Sequence, residues 1–204
     1  MTNATPSAIK ILPWPDATVL FWPSIASESA CRAWFTRLLS DTPWQQDSIL
    51  LFGQTHPLPR LQAWFGDAGT DYHYSGLTLS PRPWTPALDE IRQRVEQTIH
   101  HPFNSVLLNL YRTGNDSNGW HSDDEPELGN QPVIASFSLG ATRRFRMKHK
   151  TNPRMKTQSI DLPQGSLLLM KGDTQKYWSH CLAKTARIVG PRINLTFRTI
   201  HSSM

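Results

Sequence analysis

His121-Ser122-Asp123 comes first, His180 follows within Tyr177-Trp178-Ser179-His180-Cys181-Leu182, and Arg192-Ile193-Asn194-Leu195-Thr196-Phe197-Arg198 comes last. These stretches decide the fold, because each lies on or beside a strand-like run and their chemistry requires those strands to converge. His121 follows an apolar strand and the turn-forming Gly114-Asn115-Asp116-Ser117-Asn118-Gly119. Two imidazoles and one carboxylate can take one face of an octahedral Fe(II) and leave the opposite positions open. Open positions suit an oxygenase, where O2 and a reductant must both reach the metal. An H-x-D triplet alone is weak in a chain with 8 His, and a strand His is ordinarily a hydrogen-bonded core residue. The order of the stretches, with the arginines on the last strand, favours His121, Asp123 and His180 as metal ligands.

Working outward, the chain after Pro102 reads as short strands: 103–112, 132–139, 142–150, 157–162, 166–171, 176–182 and 192–200. Leu139-Gly140-Ala141, Asn152-Pro153, Pro163-Gln164-Gly165 and Gly190-Pro191 separate them as turns. Many short strands at this spacing imply a sandwich or barrel, and a jelly roll offers the metal an open mouth. Before Pro102, Ser27 opens a helix carrying Cys31, Trp34, Phe35, Leu38 and Leu39 on one side. Thr85 caps a second helix, with Pro86 in its first position, running to about His100. Residues 49–65 read as a hairpin or ordered loop, and 71–79 as one strand. The expected fold class is mainly β, a double-stranded β-helix (jelly roll) with flanking helices. The expected organisation is one domain over 1–204, a helix and loop extension at 1–101 preceding a catalytic core at 102–204.

The 204 residues with 38% hydrophobic content can bury one good core but hardly two large ones. The longest apolar runs, such as Leu167-Leu168-Leu169-Met170, are far too short to span a bilayer. The start of the chain shows no secretion signal, and two cysteines, Cys31 and Cys181, make no disulfide framework. A reducing cytoplasm, or association with the nucleoid, is the expected location, with no membrane partner and a monomeric state. The net charge of +5 is unevenly spread: from Thr142 onward there are 13 Lys+Arg against Asp161 and Asp173 alone. The density peaks in Arg143-Arg144-Phe145-Arg146-Met147-Lys148-His149-Lys150, whose alternation suits a strand with one basic side. Beside a catalytic site, such a face suits a polyanion.

Asn109 and Tyr111 share one strand face, as do Arg192, Asn194 and Arg198, since their spacings are even. Two arginines inside a barrel would be expensive without anions, and a bound dicarboxylate removes that cost.

The chain resembles the AlkB family of Fe(II)/2-oxoglutarate-dependent nucleic-acid dealkylases. The resemblance is carried by Asn104-Ser105-Val106-Leu107-Leu108-Asn109-Leu110-Tyr111, Trp120-His121-Ser122-Asp123-Asp124-Glu125, Ile134-Ala135-Ser136-Phe137-Ser138-Leu139-Gly140 and Pro191-Arg192-Ile193-Asn194-Leu195-Thr196-Phe197-Arg198. It continues upstream through residues 66–76 and covers about residues 48–200. Leu51-Phe52-Gly53, Pro57-Leu58-Pro59-Arg60 and the stretch 77–84 look like the branch acting on duplex DNA. The block at 120–125 looks more like the branch that prefers single strands.

The resemblance implies that His121, Asp123 and His180 bind Fe(II), and that Arg192 and Arg198, helped by Asn109, Tyr111 and Asn194, hold 2-oxoglutarate. With O2, the co-substrate would give succinate and CO2. The carbon on a damaged base nitrogen would be hydroxylated, and formaldehyde would leave 1-methyladenine or 3-methylcytosine repaired. The implied partner is alkylated DNA, duplex or single-stranded, or RNA; a non-catalytic nucleic-acid-binding relative is the alternative. A damaged base must leave the stack to reach the metal. On the substrate side the resemblance points to Phe52 as a wedge in the stack, Tyr72 and Tyr74 as an aromatic lid, Arg60 and Ser75 beside them, and Asp124 and Glu125 as negative charge for a cationic base. Trp120 is left either packing the metal loop or touching nucleic acid at the mouth.

Overall fold

The computed structural model describes residues 7–51, 53–74 and 77–201. In chain order the first strands are β1 (Lys10–Leu12), β2 (Thr18–Trp22), β3 (Ser48–Leu51), β4 (Gln54–Pro57), β5 (Leu61–Gly66), β6 (Tyr72–Tyr74) and β7 (Leu77–Leu79). They are followed by β8 (Ser105–Tyr111), β9 (Asn118–His121), β10 (Ile134–Gly140), β11 (Arg143–His149), β12 (Gln158–Leu162), β13 (Leu167–Lys171), β14 (Trp178–Leu182) and β15 (Arg192–Arg198). The helices are α1 (Glu28–Asp41), α2 (Pro86–Ile99) and the single turn α3 (Thr174–Tyr177).

Seven strands form one sheet in the order β1-β2-β13-β10-β15-β8-β5, and four form a second in the order β12-β11-β14-β9. All neighbours in both sheets are antiparallel. Two such sheets facing each other are the jelly roll expected from strand and turn spacing.

Strand alternation explains why the large sheet is apolar on one side and chemically active on the other. On β15, Ile193, Leu195 and Phe197 join a core with Val106 and Leu108 of β8, Phe137 and Leu139 of β10, Trp34 and Leu38 of α1, and Leu88, Ile91 and Val95 of α2. The intervening residues Arg192, Asn194, Thr196 and Arg198 turn toward the four-stranded sheet. Both faces of β13 are apolar: Leu167 and Leu169 pack toward the helices, while Leu168 and Met170 join Phe145, Met147 and Trp178 between the sheets. The run Leu167-Leu168-Leu169-Met170 is therefore continuous because the strand is covered twice.

Both helices start where their sequence signals lie. The Ser27 hydroxyl accepts from the Ala30 N–H at 3.2 Å, and the Thr85 hydroxyl accepts from the Leu88 N–H at 3.3 Å. Elsewhere the structure revises the sequence expectations. Residues 72–74 and 77–79 are two strands, β6 and β7, paired antiparallel, and not one strand. Residues 49–65 hold the β3–β4 hairpin and also β5, which joins the large sheet beside β8. The end of the Gly114–Gly119 loop is already β9, and 176–182 becomes strand only at Trp178, after α3. Because β1, β2 and β5 complete the large sheet, that sheet crosses the boundary expected at 101/102. Among the described residues, no helix is long and apolar enough to cross a membrane.

Gly140 closes β10 with φ of +82°, and a Cβ there would collide with the Pro191 carbonyl and the Phe35 ring. Gly140→Ala is expected to cost more than about 2 kcal/mol, from left-handed strain plus the clash. Thr85→Ala, which removes only a cap, is expected to cost about 1 kcal/mol. Urea denaturation of both variants checks the ranking; equal losses would contradict it.

Candidate metal and co-substrate site

The site is built from inward-facing residues of both sheets. On the four-stranded sheet, β9 and β14 pair with His121 opposite His180. Cross-strand neighbours on one face have close Cβ atoms, and here the imidazole centroids lie 4.2 Å apart at 62°. Asp123 follows two residues after His121, where β9 has ended, and its N–H donates to the Gln175 side-chain carbonyl at 3.0 Å. His121, Asp123 and His180 each offer a ligand atom, and these atoms all lie within 4.8 Å of one another. His121 Nδ1 is 2.8 Å from the Gly119 carbonyl oxygen. Assigning the proton to that bond leaves Nε2 as the lone-pair nitrogen, which faces the Asn118 side-chain amide at 3.3 Å.

The protonation states suit ligation. Burial pushes the His180 pKa down to about 3, with His121 adding to the effect, so its ring is neutral. Burial opposes ionisation of Asp123, but Arg198, His180 and His121 outweigh it and hold the carboxyl at about 2. The Asp123 carboxylate, the neutral His180 ring and the His121 imidazole together form a donor set that fits Fe(II).

The arginines stand on the opposite wall. Arg198 Nη2 donates to Asp123 Oδ1 at 3.0 Å. Arg192 Nη2 donates to the Ser138 hydroxyl at 2.9 Å and to the Asn194 carbonyl oxygen at 2.8 Å. Asn194 also accepts from Ser136 at 2.8 Å and donates to Thr196 at 2.7 Å, which fixes its amide. Arg192 is 2% exposed, forms no ion pair among the described residues, and burial holds its pKa down to about 10. Arg192 Nε, Arg198 Nε and Arg198 Nη1 are buried without a hydrogen-bond partner among the described residues. Orphaned guanidinium donors are costly, and a dicarboxylate spanning the two arginines would satisfy them. Asn109 and Tyr111 line the same cavity, whose volume is about 510 Å³.

The substrate-side candidates divide. Arg60 lines the cavity, is buried, and donates through Nε to Asn109 Oδ1 at 2.8 Å, bracing the co-substrate wall. Tyr72 lines the cavity, but its ring stacks on Trp64 at 4.9 Å, whose indole N–H donates to the Thr70 carbonyl. Glu125 lines the cavity too and shares a hydrogen bond with Tyr72, and burial followed by Asp123 raises its pKa. Asp124 also lines the cavity and pairs with Lys150 at 3.0 Å. Phe52, Ser75 and the Tyr74 side chain lie outside the described residues.

Sequence reasoning missed Gln175, Ser136, Ser138 and Thr196. The even spacing that marked Arg192, Asn194 and Arg198 also marks Thr196, and Ser136 and Ser138 alternate with apolar neighbours on β10. Gln175 carries no comparable signal, since only the fold brings α3 under Asp123.

The model of the 2OG-Fe(II) oxygenase superfamily matches residues 18–198. Over 201 residues the chain is 40% identical to the Homo sapiens alpha-ketoglutarate-dependent dioxygenase alkB homolog 3, spanning 95% of this chain and 70% of that one. Over 158 residues it is 45% identical to the Homo sapiens protein named DNA oxidative demethylase ALKBH2, spanning 74% of this chain and 60% of that one. The solved structure described as "The structure of OsALKBH1" shares the fold, with a TM-score of 0.63 over 94% of this chain and 100% of that one, at 16% identity.

Titrating the metal-free protein with Co(II), and following its visible absorption, tests the site without turnover. His121→Ala, Asp123→Ala and His180→Ala are each expected to abolish the bound-metal spectrum. Gln175→Leu, which removes only the acceptor for the Asp123 N–H, is expected to weaken binding roughly 10–100-fold. A full-strength spectrum in any of the three alanine variants would remove that residue from the ligand set.

Proposed function

The chain belongs to the 2OG-Fe(II) oxygenase superfamily and, within it, to the AlkB family, and from that premise we propose that it demethylates 1-methyladenine and 3-methylcytosine in DNA. It is an Fe(II)/2-oxoglutarate-dependent dioxygenase. Relatives named DNA oxidative demethylase support DNA as the substrate. The observation that carries the lesion class is the wall beside His121 and Asp123. There the Tyr72 ring and the Glu125 carboxyl, whose Oε2 has no hydrogen-bond partner among the described residues, line the cavity. Methylation at adenine N1 or cytosine N3 leaves the base cationic, and an aromatic and anionic wall favours such a base over its neutral parent.

The roles of the residues follow from their places. His121, Asp123 and His180 would hold the iron. With 2-oxoglutarate and O2 bound, that iron supplies the oxidising power that hydroxylates the methyl carbon as the co-substrate becomes succinate and CO2. Arg198 stands beside the triad through Asp123, so it suits the co-substrate end nearest the metal. Arg192, over the Tyr111 ring at 5.5 Å, suits the far carboxylate. Asn109, its carbonyl occupied by Arg60, has its amide protons left to donate. Tyr72 and Glu125 would hold the flipped base, and Leu107 and Met170 give the cavity an apolar lining. The hydroxymethyl group then leaves as formaldehyde, returning the base to its pairing form.

Mass spectrometry of an oligonucleotide carrying one 3-methylcytosine, incubated with protein, Fe(II), ascorbate and 2-oxoglutarate, tests the reaction. Loss of the methyl group with matching succinate and formaldehyde is expected. Succinate formation with no change in any methylated oligonucleotide would reject a nucleic-acid substrate. Within that assay, Arg192→Ala is expected to weaken 2-oxoglutarate by about 2–3 kcal/mol, one lost charge-assisted pair. Arg192→Lys should recover only part of this, since an ammonium cannot reproduce the planar fork. Unchanged co-substrate affinity in Arg192→Ala would remove it from the pocket.

A further inference from the structure

Resting on the dealkylase reading above, we infer that Trp120, Arg146 and Lys148 form an outer platform that binds an unpaired nucleic-acid strand next to the cavity mouth. On β11 the exposed residues alternate as Arg144, Arg146 and Lys148, while Arg143, Phe145, Met147 and His149 turn inward. The strand register places Arg146 beside Cys181 and Lys148 beside Ser179 on β14, and β9 lies on the far side of β14. Trp120 faces outward from β9 because its neighbour His121 faces inward. Its ring reaches back across the sheet, to 5.7 Å from the Arg146 guanidinium and 5.7 Å from the Lys148 ammonium. It remains 42% exposed.

Nearby cations are committed: Arg144 is bidentate to Asp161, and Lys150 holds Asp124. Arg146 and Lys148 form no ion pair among the described residues. The platform therefore joins two free positive charges to an aromatic face. Two cations match the phosphates of one strand, and an indole face matches a base that has a face to offer. In a duplex the bases are stacked on each other, so only the phosphates would be engaged. Trp120 also lies on the rim of the cavity and adjoins His121, so a strand whose damaged base enters the cavity passes the platform with an adjacent nucleotide.

The test is fluorescence anisotropy with undamaged labelled (dT)12 and with a labelled blunt hairpin duplex, at several salt concentrations, using the full chain. Trp120→Ala is expected to weaken (dT)12 about tenfold, with duplex affinity little changed and Trp120→Phe retaining most of the binding. Arg146→Ala/Lys148→Ala should flatten the log–log salt dependence for (dT)12 by about 1.4, two phosphate contacts on a single strand. If Trp120 serves only to shelter Cys181, which is 3% exposed, Trp120→Ala will lower the melting temperature and bare the thiol with (dT)12 affinity unchanged. That result, or equal losses on strand and duplex, or an unchanged salt slope, overturns the platform. Because the probes carry no lesion, the outcome is separable from the chemistry. If the wild type demethylates nothing but the variants show these losses, the platform stands and the reaction is rejected; if the wild type demethylates and the variants show none, the reverse holds.

Discussion

A guanidinium cannot be buried without compensation, and β15 buries two. Arg192 and Arg198 are 2% and 3% exposed, at the two ends of a strand whose alternate residues pack against α1 and α2. The rest of the cavity is organised around that cost. Ser136 and Ser138 on β10 and Asn194 and Thr196 on β15 supply a polar lining that an ordinary sandwich core would replace with aliphatic side chains. Asp123 neutralises Arg198 from the opposite sheet. Among the described residues Arg192 has no such partner, an imbalance that favours an anion in the pocket.

The two sheets contribute different chemistry for the same geometrical reason. The large sheet is covered by helices, so its inner face alone is free to be polar. The small sheet has no such cover, so β11 can carry cations outward while Phe145 and Met147 face inward. One eight-residue run, Arg143 to Lys150, therefore serves the core and the solvent at once, which is why its composition reads as basic and its folding role as apolar.

Much of this was legible in the sequence. The helix starts at Ser27 and Thr85 are local signals, and so are the turns that separate the later strands. Even spacing placed Arg192, Asn194 and Arg198 on one face, and the structure brings them into one cavity with His121, Asp123 and His180. What stayed hidden depends on partners distant in the chain. β5 is masked by Pro57 and Pro59 just before it, and it becomes a strand by pairing with β8, some forty residues onward. Gln175 looks like any polar residue of a short turn until the fold sets it against the Asp123 amide. Arg60, expected on the substrate side, is carried to Asn109 by the pairing of β5 with β8.

The stack of Tyr72 on Trp64 has a consequence for how a substrate is chosen. The tyrosine is held by the indole behind it, by its hydrogen bond to Glu125 and by the neighbouring His73 backbone N–H, which donates to Glu127 at 3.0 Å. A side chain so confined has little rotational freedom left to lose when a base arrives. The discrimination at this wall is then set by shape and charge that exist beforehand. A base that fits poorly would meet no adjustable surface at this wall.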